Sequence, residues 1–436
     1  MTPVVRRTFS SLEVPNYRRW FTGQVVSISG NWMQTVAEVW LIVQLTGGSG
    51  LAVGLTAALQ FLPILVLGAW GGLLADRLAK RRLIIHTQLL MMVPAIAMWL
   101  LTLTGVVEAW MVFALVLARG LITAIDNPAR QSFVSEIVGT DRVVNAIALN
   151  SVVIHTARII GPAVAGGVIA LVDISVCFLL NALTFGAMVI ALRGMDPARL
   201  DTPRPAARAK GELRSALRYV LATPALAIPL AMMAVVGTLS FNFQVLLPLL
   251  AHRTWSGDAT TYAALTTAMG VGSVGGALAA GARGRVSPAL LVGASAGFGL
   301  LLLAVAAAPT LPLQLAALVA LGALSVTFAS GVNSSLQLAV HPAMRGRVMA
   351  IYSMVFLGST PIGSILVGWL AEVSSPRAGL ALGAVAALIT AVGARVAFDR
   401  ARQRAGDSGA GRMAVIGAGR SSRARTGRLR AARRSI

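Results

Sequence analysis

The sequence is poor in charged residues and in cysteine. Only 12% of its 436 residues are Asp, Glu, Lys or Arg, whereas a soluble domain carries about 25%. Together with the 56% of hydrophobic residues, this scarcity excludes a soluble globular protein and indicates an integral membrane protein. Cys177 is the single cysteine, which excludes an internal disulfide and a cysteine-ligated metal cluster.

Motifs for nucleotide and metal chemistry are also missing. Lysine occurs only at Lys80 and Lys210, and neither follows a glycine, so the chain has no phosphate-binding P-loop. The four histidines are scattered without the spacing of a metal site. We therefore expect no metal, no cofactor and no enzymatic activity.

Apolar runs of membrane-spanning length occupy most of the chain. A transmembrane helix needs about 20 apolar residues, and twelve runs meet this requirement. We therefore predict an all-α integral membrane protein with transmembrane helices near residues 20–45, 50–75, 83–104, 109–129, 144–170, 173–192, 224–250, 260–282, 287–308, 311–337, 347–371 and 377–398.

The formal charge is +22, and the positions of the Lys and Arg residues indicate the membrane topology. Eleven of the 37 Lys and Arg residues lie beyond Asp399, and most of the others lie in loops on one side of the predicted spans. Arg253 and Arg377 are the cations of the opposite loops. The positive-inside rule then places both termini in the cytoplasm of a bacterium, with the spans in its inner membrane. We expect the basic tail to lie near anionic lipid and not to bind nucleic acid.

A polar segment divides the spans into two sets of six that resemble each other weakly. Gly71-Gly72 in the second span corresponds to Gly275-Gly276 in the eighth. Two similar halves are typical of secondary transporters, whose substrate site lies between them. We expect a monomer with a cytoplasmic segment, a first bundle, a linker with a surface helix, a second bundle and a disordered tail, covering residues 1–19, 20–192, 193–223, 224–398 and 399–436.

Three charged residues lie deep inside the predicted spans. Glu38, Arg119 and Arg158 each lie roughly 10–18 Å from the same end of their helices, at 1.5 Å per residue. A charge at mid-bilayer costs at least about 2.5–3.5 kcal/mol on insertion scales. We therefore predict one cluster that lines a polar cavity, with Glu38 exchanging a proton. The alternative is a static ion pair that aligns the helices.

Uncharged polar residues are the candidates for contact with a substrate. Asn31 and Gln34 share a helix face with Glu38, and His155 lies one turn before Arg158. His155 is either a proton-relay partner or a hydrogen-bonded core residue. The candidates in the second half are Asn242, Gln244, Asn333 and Gln337.

A short basic connection, residues 71–82, joins the second and third spans. Asp76 is followed by four cations within six residues, and the glycines before it allow helices to approach closely. Asp126 of the fourth span lies near the same membrane surface, where it either reaches this connection or is solvated at the interface. We expect a moving part here that includes Gly72, Asp76, Arg77 and Lys80.

These motifs resemble those of the major facilitator superfamily. Residues 71–83 resemble its signature G-x-L-A-D-R-x-G-R-K, with Ala79 at the second glycine, and Leu117–Gly120 resembles its helix-four signature with a buried arginine. Gly161–Gly167 resembles the helix-five antiporter signature G-P-x-x-G-G. The similarity covers about residues 17–398 and extends to the branch of enterobactin exporters and macrolide efflux proteins.

The resemblance implies the major facilitator fold of two pseudo-symmetric six-helix bundles, with alternating access by rocking of the halves. It implies a charge relay of Asp76, Lys80 and Asp126 at a cytoplasmic gate, and proton coupling at Arg119. It also implies an exporter role for Gly161, Pro162 and Gly166.

The function predicted from this resemblance is proton-coupled export of an amphipathic small molecule, such as a drug, siderophore or metabolite. Uptake or uniport of a small solute is the alternative within the same class. A polytopic membrane enzyme or signalling protein is the alternative from another class, and it would need a catalytic cluster or a soluble domain.

Overall fold

The structure, a computed structural model, describes residues 10–201, 212–283, 286–341 and 344–431. Within these ranges, the side chains of Ala69, Asp76, Thr140 and Val144 and those of residues 212–214 and 405–431 are not described. The described residues form helices joined by short turns and loops.

Six long helices form the first half, after a 3₁₀ turn at Ser10–Glu13. They are α1 (Pro15–Leu45), α2 (Gly50–Arg77), α3 (Lys80–Leu103), α4 (Ala109–Gly139), α5 (Asp141–Leu171) and α6 (Ile174–Arg193).

The amphipathic helix α7 (Glu212–Ala222) leads into the second half. Its six long helices are α8 (Pro224–Thr254), α9 (Ala259–Arg283), α10 (Pro288–Ala307), α11 (Leu311–Ala339), α12 (Arg345–Val373) and α13 (Pro376–Ala431). Two of them are interrupted, α8 after Leu239 and α12 at Ser359. An interruption within a span is tolerated where the freed backbone groups are buried in protein or line a cavity.

Eleven of these helices are long and apolar enough to cross a membrane. The helix outside that set is α1, whose 31 residues suffice for a span but include Asn31, Gln34 and Glu38 on one face. The predicted all-α membrane fold of two six-helix bundles is confirmed, and the polarity of α1 shows that this helix faces protein more than lipid.

Two predicted helix ends differ from the structure. We expected a loop over residues 130–143, but α4 continues to Gly139 and α5 begins at Asp141. Gly139 makes the reversal with a φ of +71°, a conformation that glycine adopts without a steric penalty. Helix α13 continues past residue 398 to Ala431. Because no side-chain contact is described beyond Arg404, the disordered tail stays a prediction.

Acidic residues cap two helices at the same end of the molecule. Asp173 accepts a hydrogen bond from the backbone N–H of Ser175 at 2.8 Å, at the start of α6. Asp258 accepts bonds from Thr260 and Thr261 at the start of α9, and these bonds, the Thr260 hydroxyl first, hold the pKa of Asp258 below its ordinary value. A carboxylate at a helix N-terminus also interacts favourably with the helix dipole.

The two halves repeat the same packing. Helix α2 packs on α4 in the first half, as α9 packs on α11 in the second. Close approaches fall at Gly71 against the carbonyl of Ala124, and at Gly276 against the carbonyl of Ala323. A Cβ atom at either glycine would overlap that carbonyl, so both contacts require glycine.

Contacts between the halves follow two helix pairs, α2 with α12 and α5 with α9. We call the end of the molecule with α7 and the α2–α3 turn the basic end, and the opposite end the distal end. Gly50 packs against Gly368 near the distal end, and Gly166 packs against Ala263. The halves are therefore in contact over their distal portions.

The α5–α9 pair separates toward the basic end. Gly270 of α9 still touches the backbone of Arg158, but Gly281, three turns further on the same face, has open space. Ile159 of α5 also touches Gly270, whereas Val152, two turns nearer the basic end on the same face of α5, is 57% exposed. Among the described residues, the wedge between the halves is therefore closed at the distal end and opens toward the basic end.

Candidate functional site

A buried ion pair joins α1 to α4. Arg119 Nη2 lies 2.5 Å from Glu38 Oε2, and the two side chains are 7% and 2% exposed. Gln34 donates from Nε2 to Glu38 Oε1 at 2.7 Å, and Asn181 of α6 donates to Gln34 Oε1. These contacts form one polar layer, about 10 Å from the distal end of α1 at 1.5 Å per residue.

Arg158 lies in a different layer from this pair. It is 13 residues from Leu171, the distal end of α5, or about 20 Å at 1.5 Å per residue. Trp32 lies at the same depth on α1, and its ring centroid is 5.1 Å from the guanidinium carbon of Arg158. The predicted three-residue cluster is therefore divided into an ion pair and a separate stacked arginine, because Arg158 lies about 10 Å deeper than Glu38.

The other predicted cavity residues of the first half also lie in two different environments. Gln34 is buried and supports Glu38, so it belongs to the ion-pair layer. Asn31 and His155 are half-buried. The Nδ1 atom of His155 is buried without a hydrogen-bond partner among the described residues.

The interruption of α8 presents polar groups inside the second half. Asn242 is buried and donates from Nδ2 to the carbonyl of Thr238 at 2.7 Å, while its Oδ1 atom has no partner among the described residues. Gln244, two residues later, is half-buried. These two predicted cavity residues therefore lie at the interruption of α8 that follows Leu239.

An aromatic cluster surrounds the same interruption. The ring of Phe241 lies 5.1–6.5 Å from the rings of Phe243, Phe298, Phe328 and Phe356, which come from four helices. Such a cluster offers an apolar surface beside the polar groups of α8.

Asn333 and Gln337 of α11 lie nearer the basic end. Gln337 donates from Nε2 to Asn333 Oδ1 at 2.5 Å and is exposed in the last turn of the helix. Asn333 is half-buried one turn deeper. Gln337 therefore lies at the mouth of the wedge and not at the depth of Asn242.

The basic end carries a second buried ion pair, between α3 and α4. Lys80 Nζ lies 2.5 Å from Glu136 Oε1, and the side chains are 9% and 3% exposed. Glu136 was not among the predicted site residues, because we assigned it to a loop that is in fact the last part of α4. Extending the fourth span through Pro128, which α4 contains in its interior, would have identified it.

Asp126 is bonded to other partners. Its Oδ1 atom accepts hydrogen bonds from Thr87 at 2.5 Å and Gln88 at 3.2 Å, and its Oδ2 atom pairs with Arg130 one turn later. Arg130 in turn donates to Gln24 of α1. Asp126 thus connects α4 to α3 directly and to α1 through Arg130. It is neither solvated at the interface nor bonded to Lys80, so both predicted environments are wrong.

The remaining gate candidates lie on the last turns of α2. The side chain of Asp76 lies outside the described residues, and Arg77 is exposed. Gly71 makes the close contact with α4, whereas Gly72 faces open space. The predicted close approach is therefore made by the neighbouring glycine.

The three predicted residues of the helix-five motif lie at two different contacts. Gly161 packs within the first half, where a Cβ atom would overlap Trp32 of α1, and Pro162 is buried beside it. Gly166 packs across the halves against Ala263 of α9. The glycines of the motif therefore allow α5 to pack closely against α1 on one side and against the second half on the other.

The distal end carries an arginine that ties the halves together. Arg253 of α8 donates to the carbonyls of Gly48 at 3.0 Å and Ala371 at 2.8 Å, and to Glu372 Oε2 at 2.9 Å. The same carboxylate oxygen accepts from the backbone N–H of Gly50. This arginine, one of two cations near the distal loops, therefore bonds the end of α12 and a loop of the opposite half. We had not predicted its partner Glu372, which follows directly after the predicted eleventh span.

Residues 293–297 match the Gly-x-Ser-x-Gly pattern of hydrolase nucleophiles. Ser295 lies inside α10, is fully buried and donates to the carbonyl of Ala387 at 2.9 Å. The pattern requires a strand-to-turn-to-helix context that α10 does not provide, so Ser295 is a helix-packing residue.

A family model described as "Transmembrane secretion effector" matches residues 6–410. Among curated proteins, the chain is 25% identical over 387 residues to the enterobactin exporter EntS of Escherichia coli O127:H6 (strain E2348/69 / EPEC), covering 87% of this chain and 90% of that one. It is 24% identical over 256 residues to the staphyloferrin A transporter of Staphylococcus aureus (strain NCTC 8325 / PS 47), covering 58% of this chain and 64% of that one. A 24% identical match to YfiS, an uncharacterised transporter of Bacillus subtilis (strain 168), covers 48% of YfiS.

Solved structures of low identity share the fold. A bacterial homologue of the lysosomal transporter Spinster, inward-facing and occupied, superimposes with a TM-score of 0.69 at 14% identity, covering 88% of this chain and 97% of that one. An inward-facing bacterial homologue of ferroportin gives 0.69 at 11% identity, covering 88% and 98%. Since the family model extends over residues 6–410 and the fold agrees, the chain belongs to the transmembrane secretion effector family of the major facilitator superfamily.

Proposed function

We propose that the chain exports amphipathic small molecules across the bacterial cytoplasmic membrane in exchange for protons. The observation that carries this proposal is the buried Glu38–Arg119 pair, a titratable carboxylate held inside a bundle that opens to one side of the membrane. The name of one relative, an exporter of enterobactin, supports the direction of transport.

The proposed topology follows the distribution of charge. The basic end faces the cytoplasm, with both termini and the linker 193–223 on that side. The bundles 20–192 and 224–398 move as the two halves of a monomer, and the tail 399–436 lies at the cytoplasmic surface. The structure then corresponds to a state open to the cytoplasm, ready to receive a substrate.

Proton coupling follows from the pairing of Glu38. A proton on Glu38 neutralises the carboxylate and leaves the guanidinium of Arg119 without its counter-ion. Removing one partner of a buried pair costs about 3–5 kcal/mol, so protonation favours any arrangement of the helices that gives Arg119 new partners or water. Gln34 and Asn181 position the carboxylate for this exchange.

The gate at the basic end combines two networks. The Lys80–Glu136 pair holds the α2–α3 turn against α4, and the Asp126 network holds α4 against α3 and α1. Asp76 adds a carboxylate on the last turns of α2. These contacts keep the first half rigid while the wedge opens and closes.

The substrate surface is built from both halves. The Phe241 cluster and Asn242 provide apolar and polar contacts from the second half, and the half-buried Asn31 and His155 provide polar groups from the first. Rings beside hydrogen-bonding groups suit an amphipathic molecule.

The test is accumulation of fluorescent amphiphiles in inverted vesicles with and without a pH gradient. In the Glu38→Gln variant, the glutamine side chain has the shape of a protonated glutamate, but its amide cannot release a proton. We expect gradient-driven accumulation to fall at least about tenfold, while exchange of substrate at equal pH persists. Glu108→Gln is the matched control, because Glu108 is an exposed glutamate at the distal start of α4.

Two results would contradict the proposal. Accumulation by the unmodified chain that is indifferent to the pH gradient would exclude proton coupling. Accumulation in right-side-out vesicles instead of inverted ones would favour uptake.

A further inference from the structure

At mid-membrane depth, the described part of the first half contains two arginines, Arg119 and Arg158, but only one buried carboxylate, Glu38. Arg119 is paired with Glu38, but Arg158 has no ion pair or hydrogen bond to another described residue. Its Nε atom is buried without a partner. Arg158 is half-buried, and a cation partly removed from water is unfavourable unless pairing or hydrogen bonds compensate for the lost hydration.

The contacts of Arg158 hold its side chain in place without satisfying its hydrogen bonds. The guanidinium carbon lies over the Trp32 ring, 5.1 Å from its centroid, in a cation–π contact. A stacked guanidinium keeps its N–H donors directed outward from its edge. The donors are therefore oriented before any anion arrives.

Further unpartnered polar atoms lie along the same helix contact. His155 Nδ1, one turn from Arg158 toward the basic end, is buried without a partner among the described residues. Thr267 Oγ1 of α9 is likewise unpartnered, one turn from Gly270, which touches the Arg158 backbone. Arg158 and His155 of α5 and Thr267 of α9 thus carry unpartnered atoms within about one turn of the Gly270 contact, and buried polar groups are rarely left unpaired.

The position of the group fits a substrate and not a lipid headgroup. Arg158 is about 20 Å from the distal end of α5 and about 25 Å from its basic end, at 1.5 Å per residue. It lies beside the contact between α5 and α9, at the depth where the wedge between the halves begins to open.

We propose that Arg158, stacked on Trp32 and flanked by His155, binds the anionic group of the substrate, so that the transported molecule is an amphipathic carboxylate or a comparable oxyanion. The proposal rests on the transport function proposed above and defines its substrate class. Arg158 forms a bidentate bond to the anion, and the Phe241 cluster of the opposite half receives the apolar body. A bound anion therefore bridges the halves, whereas a neutral analogue leaves the arginine unpaired.

The experiment measures equilibrium binding to the full-length chain in nanodiscs, with no pH gradient. The probes are matched pairs of aryl carboxylates and their carboxamides, such as 1-naphthaleneacetate with 1-naphthaleneacetamide and pyrenebutyrate with pyrenebutyramide. We expect the unmodified protein to bind the carboxylate at least about tenfold more tightly than the amide, as suits a hydrogen bond to a charged group.

Three variants identify the residue responsible. Arg158→Gln should abolish the preference for carboxylate while the affinity for the amides stays within about threefold, which also reports on folding. Arg158→Lys should keep part of the preference, since it keeps the charge and loses the planar fork. Arg283→Gln, an exposed arginine at the end of α9, should keep the full preference.

Two outcomes overturn the anion site, namely no preference for carboxylate in any probe pair, or a preference that survives Arg158→Gln. Neither outcome bears on proton coupling, because the measurement uses no gradient. Conversely, Arg158→Gln could lose the preference for carboxylate while the unmodified chain accumulates substrate regardless of the pH gradient. That combination would support the anion site and contradict proton-coupled export.

Discussion

At the scale of single residues, charge burial explains most of the polar arrangement. The chain has 15 Asp and Glu residues and 37 Lys and Arg residues. Among the side chains that the structure describes, the buried acids of the first half each pair with one cation: Glu38 with Arg119, Asp126 with Arg130 and Glu136 with Lys80.

The Lys80–Glu136 pair should be essential for stability. Glu136→Gln leaves a buried ammonium group without a counter-ion, which costs about 3–5 kcal/mol. We expect a clearly lower apparent melting temperature of the purified protein in detergent. The double variant Lys80→Glu with Glu136→Lys should recover part of the loss.

An exposed pair provides the control for this prediction. Arg199 and Asp196 lie 3.2 Å apart at the basic end and are 66% and 47% exposed, so Arg199→Gln should leave the melting temperature unchanged. If Glu136→Gln melts like the unmodified chain, the Lys80–Glu136 pair is not stabilising.

At the scale of helices, glycines decide where backbones meet. Gly166 and Gly167 are neighbours on α5, yet Gly166 touches Ala263 and Gly167 faces open space. The sequence pattern alone does not predict this difference, because the two glycines are adjacent at the end of the segment Gly161–Gly167.

This difference predicts unequal effects of one substitution. Gly166→Leu places a side chain between α5 and α9, and overpacking of this kind costs about 1–3 kcal/mol. We expect transport to fall about tenfold, since the distal closure is disturbed. Gly167→Leu adds the same side chain where no atom lies within 4 Å and should transport nearly normally. Equal loss in both variants would show that the α5–α9 contact is not the cause.

At the scale of the whole molecule, the distal end is held closed by few polar bonds. Arg253 and Glu372 bond each other and the Gly48–Gly50 loop of the first half. These bonds must break when the wedge opens to the distal side, so they bias the equilibrium between the two states.

Weakening these bonds should populate the other state. Arg253→Gln removes bonds worth about 1 kcal/mol each, which corresponds to about a fivefold shift per bond. Spin labels at Gln44 and Ser374, in a chain with Cys177→Ala, report the distal distance by double electron–electron resonance. We expect a second, longer distance to appear.

The control for this measurement is again Arg199→Gln, which changes an arginine at the opposite end. An unchanged distance distribution in Arg253→Gln would show that the close backbone packing of Gly50 on Gly368 suffices for closure.

The sequence by itself determined the fold class and the identity of the buried charges. Runs of apolar residues must cross the bilayer because backbone groups have no partners in lipid, and a charge such as Glu38 must find a partner because desolvation is costly. Both arguments depend on composition and depth along one helix, which are visible in the chain.

Only the tertiary structure decided which partner each charge has. The depth of a residue follows from its distance to the helix end, and an error of a few residues moves it by about 1.5 Å per residue. The rotation of each helix is set by packing against its neighbours, as Gly161 is set against Trp32. For this reason Lys80 is paired with Glu136, and Arg158 is stacked on Trp32 and not bound to Glu38.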